Sequence, residues 1–427
     1  SACDIYSNSY DGIYLEYSSS NNISACDIYS NSYDGILLYY SPNNIISACN
    51  IHGNSYDGIF LYYYSNHNTI SECTIYGNSY DGIFLYFSSN NNISACNIYS
   101  NSYDGILLYY SPNNIISACD IYSNYYDGIL LYYSPNNIIS ACNIYSNSYY
   151  GILLYYSPNN IISACTIYGN SYEGIYLDSS SNNLIYNNYF DNKKNAYSYG
   201  GSGNLWNITK TLGTNIVGGY YLGGNYWSDY TGTDTNGDGL GDTPYTIPGG
   251  SKEEDKLPLV KPMEFTFNLN SGWNLIALPL NTSYNRAEDL AQAIDSCKII
   301  GRWNASSQSF EYHEKGTNTN NFTIEYGCSY FVYVTVATSF TIKGYKITSV
   351  SIGLDAGWNA IGWFNETATD AESLAKNITN CTAVAYWDNT LGRFVQYIVG
   401  TEISNFNIER GCGYLVYVTT DTTWTNS

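Results

Sequence analysis

The chain opens with "SACDIYSNSYDGIYLEYSSSNNI" (Ser1–Ile23), and "SACDIYSNSYDGILLYYSPNNII" (Ser24–Ile46) follows with few changes. Cys3, Cys26, Cys49, Cys73, Cys96, Cys119, Cys142 and Cys165 mark the unit at steps of 23 residues, with one step of 24 where Tyr64 adds a residue. A period of this length decides an architecture before any single residue does. Within a unit, "C-x-I" and "G-I-x-L" set apolar residues two apart, which is strand periodicity; helical spacing is absent. "S-N-S-Y-D-G" and "S-P-N-N" separate these runs with turn chemistry: Gly for positive φ, Pro to preset φ, Asn and Asp to bond their own backbone. Each unit is therefore two or three short strands, too small to bury its own apolar face and able to do so only by stacking on a copy of itself. The fold class expected is all-β: a single-stranded parallel β-helix of about eight to nine rungs over residues 1–192.

In-register stacking places like residues above one another at roughly 4.8 Å. The column from Ile13 to Ile175 and the column from Leu15 to Leu177 should line the interior. The cysteines, two residues from an inward Ile, should face inward with them, and buried free thiols are the reading for that ladder. Soft-metal binding is its minor alternative. Asn8, Asn31, Asn54 and their successors sit at a turn where stacked amides can bond along the column.

The motif "N-N-x-I-S-A-C-x-I-Y-x-N-S-Y-D-G-I-x-L" resembles the right-handed β-helix repeat of NosD-like and carbohydrate-binding surface proteins, common in large extracellular proteins of methanogenic archaea. The resemblance covers residues 1–192, and Gly223–Tyr245 resembles a segment that often follows such repeats. Cys stands where that pattern usually shows Asn. The family implies fold more firmly than function, since its members include lyases, epimerases, binding proteins and surface proteins.

Composition narrows the partners. A formal net charge of −21 over 427 residues argues against nucleic acid or anionic lipid. No signal peptide and no apolar run long enough to span a membrane is present in the sequence, so a mature or trimmed exported part without membrane insertion is expected. Sequons at Asn281, Asn304, Asn321, Asn365 and Asn377 are the candidate glycosylation sites.

Residues 193–262 are expected to end the stack and lead through "L-P-L-V-K-P" into a second, longer repeat. "S-G-W-N-L-I-A-L" at Ser271 returns as "A-G-W-N-A-I-G-W" at Ala356, and "I-E-Y-G-C-S-Y" returns as "I-E-R-G-C-G-Y". Two tandem β-rich α+β modules, 263–346 and 347–427, are expected, each with one helix. Cys297 and Cys328, and Cys381 and Cys412, are 31 apart in both copies, a natural disulfide pair in an exported module.

The sharpest metal signal is "D-T-N-G-D-G-L-G-D". Asp234, Asn236, Asp238 and Asp242 occupy positions 1, 3, 5 and 9 of a calcium-loop pattern, with the Leu240 carbonyl at position 7. Structural calcium is the cofactor expected. Asp11, Asp34, Asp57, Asp81, Asp104 and Asp127 are copies of one turn position, with weak cation binding as the alternative to turn chemistry.

Lyases on this fold need a base and a cation at the sugar. No Lys or Arg precedes Lys193, and His52 and His67 read as surface substitutions. Enzymatic activity is not expected. Tyr6, Tyr29, Tyr76, Tyr99 and their successors follow an inward Ile and face out, as packing surfaces of an assembly or as sugar-stacking platforms of an adhesin. The function expected is a secreted structural protein of a cell surface, with itself as partner. Its first rung, Cys3, Ile5, Ile13 and Leu15, carries no cap and is the candidate end-to-end joint.

Overall fold

The computed structural model describes residues 2–401 and 404–426. The chain divides into two compact units, 1–233 with 240–261, and 234–239 with 262–427.

In the first unit each repeat gives three strands, beginning with β1 (Asp4–Tyr6), β2 (Ile13–Glu16) and β3 (Asn22–Ser24). Successive copies pair in parallel and build sheets of ten, nine and eight strands. Register is residue on residue, Ile98 to Ile121 to Ile144 and Leu108 to Leu131 to Leu154. From the second rung onward the Ile, Leu and Cys columns are buried. The expected ladder Asn8 to Asn170 is present and runs on to Asn192, each Nδ2 donating to the next Oδ1 at 2.8–3.1 Å. A second polar file was not anticipated: Ser41 and Asn44, read only as turn residues, are buried with their copies. There Ser134 Oγ donates to the Leu108 carbonyl at 3.0 Å, and Asn137 Nδ2 to the Ser134 carbonyl at 2.8 Å.

The reason for the D-G glycine differs from the one expected. Its φ is not positive; space is what it supplies. A Cβ on Gly105 would stand 2.6 Å from the Gly128 carbonyl oxygen and 2.5 Å from Ile121. Left-handed backbone falls instead on non-glycine corners, such as Tyr110 (φ 50°), Asn113 (φ 61°) and Ala118 (φ 53°). The extra residue of the long unit is absorbed there, by Tyr63 and Tyr64 at φ 43° and 53°.

The sheets continue past residue 192 through Lys194–Tyr199 and Tyr226–Trp227. Aromatic rings close the core: Phe190 on Trp227 at 4.7 Å, and Tyr245 on Trp227 at 4.4 Å. Two buried acids hold the indoles, Glu253 accepting from Trp206 Nε1 at 2.8 Å and Asp255 from Trp227 Nε1 at 2.9 Å. Burial pushes the Asp255 carboxyl up to about 7 despite its N–H donors.

In the second unit the four-stranded antiparallel sheet of Gly272–Ile276, Tyr330–Val334, Cys297–Asn304 and Ser309–Glu314 recurs as Gly357–Gly362, Gly413–Val418, Cys381–Asp388 and Arg393–Ile398. Each copy carries one short helix, α1 (Ala287–Ala293) and α2 (Ala371–Lys376). The copies exchange equivalent bonds: Trp303 Nε1 donates to the Trp358 carbonyl at 2.6 Å and Trp387 Nε1 to the Trp273 carbonyl at 3.0 Å.

Candidate functional site

The outward tyrosines form continuous files. Tyr6, Tyr29, His52, Tyr76, Tyr99, Tyr122, Tyr145 and Tyr168 stack at centroid spacings of 4.7–5.1 Å with interplanar angles of 1–11°. The ring planes therefore lie across the rung-to-rung direction, and each face meets a neighbouring ring. Edges and hydroxyls are what reach solvent. A second file, Tyr33–Tyr56–Tyr80–Tyr103, stacks in the same manner at 5.0 Å. Two more run side by side, Tyr109–Tyr132–Tyr155 and Tyr110–Tyr133–Tyr156, their members meeting edge to face within each rung at 4.7–4.9 Å. His52 is a member of its file, with Nε2 3.2 Å from the Asp27 carboxylate.

The aspartates are more buried than a turn position suggests. Oδ1 of Asp34, Asp57, Asp81 and Asp104 accepts the backbone N–H of the next Asp at 2.8 Å. Burial pushes Asp34 and Asp104 up to about 7 and Asp127, with the Asp104 charge adding to it, up to about 8. The file ends in Tyr150 and in Glu173, which pairs with Lys194 at 3.1 Å. Along the cysteine file each thiol donates to a Ser carbonyl two residues earlier, as Cys119 to Ser117 at 3.3 Å. Neighbouring thiols of successive rungs, together with burial, push Cys96 and Cys142 well up.

The expected disulfides are not formed; Cys297, Cys328, Cys381 and Cys412 are free. Strand register explains why. Cys297 pairs with Val334, while Cys328 lies six residues back along the chain, just before the strand Tyr330–Val334 begins. At about 3.3 Å per residue that is a separation of roughly 20 Å, far beyond what a disulfide spans. Cys381 opposite Val418 and Cys412 repeat the arrangement, so the equal spacing reports the duplication of the module.

In the calcium-type loop, Asp234 turns inward. Its Oδ1 accepts from Gly237 N at 2.7 Å and its Oδ2 from Gly239 N at 2.7 Å, while Asn236 Oδ1 accepts from Asp238 N at 3.0 Å. Asp234–Gly239 belongs to the second unit, where Asn281 Nδ2 donates to the Gly237 carbonyl at 2.9 Å. Leu240 and Asp242 belong to the first: Leu240 is buried opposite Leu259, and Asp242 N donates to the Thr233 carbonyl at 2.9 Å. Of the five sequons, Asn377 is exposed. Asn281, Asn304 and Asn365 donate Nδ2 within the fold, and Asn321 accepts from Glu288 N with Oδ1. In the first rung Cys3 is exposed and Ile5, Ile13 and Leu15 are half-buried, pairing on one side with the second rung.

Residues 1–102 match the right-handed β-helix region, and residues 88–232 match the family described as periplasmic copper-binding protein (NosD). The chain is a NosD-like right-handed β-helix repeat protein. Solved structures similar to this β-helix protein include a double mutant of the periplasmic alginate epimerase AlgG, at 19% identity over 43% of this chain and 46% of that one, with a TM-score of 0.36. The A-module of the Azotobacter vinelandii mannuronan C-5 epimerase AlgE6 is 18% identical over 43% and 55%, with a TM-score of 0.36. Pectate lyase Pel9A is 13% identical over 48% and 71%, with a TM-score of 0.34. The β-helix protein spans about half the length of the two epimerase chains. No curated protein sequence matches it. Among its described residues no three His, Cys, Asp or Glu side chains converge as metal ligands. No described helix is long and apolar enough to cross a membrane.

Proposed function

We propose that this β-helix protein is an exported, non-catalytic structural component of a cell surface that associates side by side with copies of itself through its tyrosine files. The observation that carries the reading is the ring orientation. A sugar-stacking platform needs an open ring face, whereas in the file from Tyr6 to Tyr168 both faces of each internal ring are turned to rings at 4.7–5.1 Å. What remains outside is a row of positive ring edges and phenol hydroxyls, suited to edge-to-face contact and hydrogen bonding with another such row.

The net charge of −21 supports a partner other than nucleic acid or anionic lipid. Export is supported by the family's periplasmic description and by the exposed sequon at Asn377. The repeat's carboxyls support structure over catalysis, because each Asp of the ladder is held by the next rung's N–H.

Electron microscopy of native material, paired with a polysaccharide-binding panel, tests this reading. Ordered sheets or filaments with no preferred sugar support it. A saturable preference for one polysaccharide without any self-association would favour the adhesin reading and overturn it.

A further inference from the structure

The two modules of the second unit are duplicates, and one of them shows what the other is shaped to receive. In the first copy the Arg302 guanidinium lies 4.7 Å over the Phe322 ring, held by Glu311 at 2.7 Å from its Nε. Phe322 lies parallel to Tyr330 at 6.1 Å. The second copy keeps this frame, with Phe406 parallel to Tyr414 at 6.2 Å. Its cation is gone. Tyr386 stands at the position of Arg302 and Val395 at that of Glu311, as the paired strands show.

The cavities differ accordingly. Beside Arg302, Trp303 and Glu325 the space is about 150 Å³. Its counterpart is about 290 Å³ and is walled by Tyr386, Trp387, Phe406 and Tyr414, with Glu409 as its acid. The Glu409 side chain is exposed and makes no ion pair among the described residues. Tyr386 meets Phe406 edge to face at 4.6 Å, so its ring stands across the parallel pair of Phe406 and Tyr414. Several aromatic rings at angles with one carboxylate form the environment that attracts an organic cation, through ring quadrupoles and a compensating charge.

We infer that the cavity of Tyr386, Trp387, Phe406, Glu409 and Tyr414 is a binding site for an organic cation, a guanidinium or alkylammonium group, held beside Tyr386, which itself takes the position of the first copy's Arg302. An acidic chain with a net charge of −21 draws such ligands toward it. The group can come from a free polyamine or from a basic side chain of another polypeptide.

The full chain is titrated with N-acetyl-arginine amide, trimethyl-lysine, spermidine and the neutral N-acetyl-citrulline amide, following indole fluorescence, to which Trp387 in the wall contributes. The cations should give saturable changes, with citrulline amide at least about tenfold weaker. Spermidine saturating while an arginine-bearing peptide does not would assign a free amine; the converse would assign a side chain. Glu409→Gln should weaken binding about tenfold, and Tyr386→Arg, which rebuilds the first copy's arrangement, should abolish it. Arg302→Tyr should open a second site and raise the stoichiometry. Equal binding of citrulline amide, full binding by Tyr386→Arg, or no saturation with any cation would overturn the assignment. Should Tyr386→Arg melt unlike the parent, Glu409→Gln decides.

Discussion

Asp104 accepts the backbone N–H of Asp127 through Oδ1 at 2.8 Å, so two buried carboxyls stand one rung apart with a single amide between them. Burial pushes the first up to about 7 and, with the Asp104 charge, the second up to about 8. The unfolded chain releases these protons near pH 4. Between about pH 4 and pH 8 the folded state therefore binds more protons, and stability falls as pH rises through 7 to 8. The melting temperature should be higher at pH 5 than at pH 8.5. Asp104→Asn, which keeps the acceptor and removes the charge, should flatten that slope. A melting temperature that climbs across the window would contradict the ladder.

Thiol chemistry separates the files from the surface. Cys3 is exposed and the ladder from Cys26 to Cys165 is buried, so a native titration should leave the ladder unreactive and a denatured, unreduced one should count all 12 cysteines. A Cys297–Cys328 or Cys381–Cys412 peptide link in unreduced mass spectra would contradict the strand register.

Backbone strain at the corners can be relieved one rung at a time. Ala118 is exposed at φ 53°, where an L side chain meets its own carbonyl. Ala118→Gly should hold or raise stability, and Ala118→Val should lower it by more than about 1 kcal/mol. Chemical denaturation of both variants reads this directly; a stabilising valine would refute the strained corner.

Calcium remains our proposal for the loop Asp234–Gly239, where the Asp234 carboxylate gathers the Gly237, Asp238 and Gly239 amides into a tight turn. EGTA should lower the melting temperature, and Asp238→Ala should remove that sensitivity. Melts unchanged by EGTA in both proteins would end the proposal.

How far the fold could be read from sequence depends on what an in-register repeat transmits. The inward Ile13, Leu15 and Cys3 columns and the Asn8 ladder followed from period and alternation alone, because stacking forces each copy into the same environment. Corner geometry did not follow, since nothing in Ala118 or Tyr110 advertises a left-handed backbone. The glycine of D-G was legible as special but for the wrong reason, as its neighbour is a carbonyl oxygen of the next rung. Alternation put the tyrosines outside and could not say which way the rings turn, and ring orientation is what separates packing from sugar stacking. The organic-cation cavity was hidden because Tyr386 and Arg302 gain meaning only when the two copies are superposed strand on strand.

The central claim, that the tyrosine files are contacts between copies, is tested most directly by sedimentation velocity of the intact chain over a wide concentration range, beside a variant carrying Tyr99→Ser, Tyr122→Ser and Tyr145→Ser. The account predicts that the parent's sedimentation coefficient rises with concentration while the variant, folded by circular dichroism, stays at the monomer value. A parent that remains monomeric throughout, or a variant that associates equally well, would contradict it.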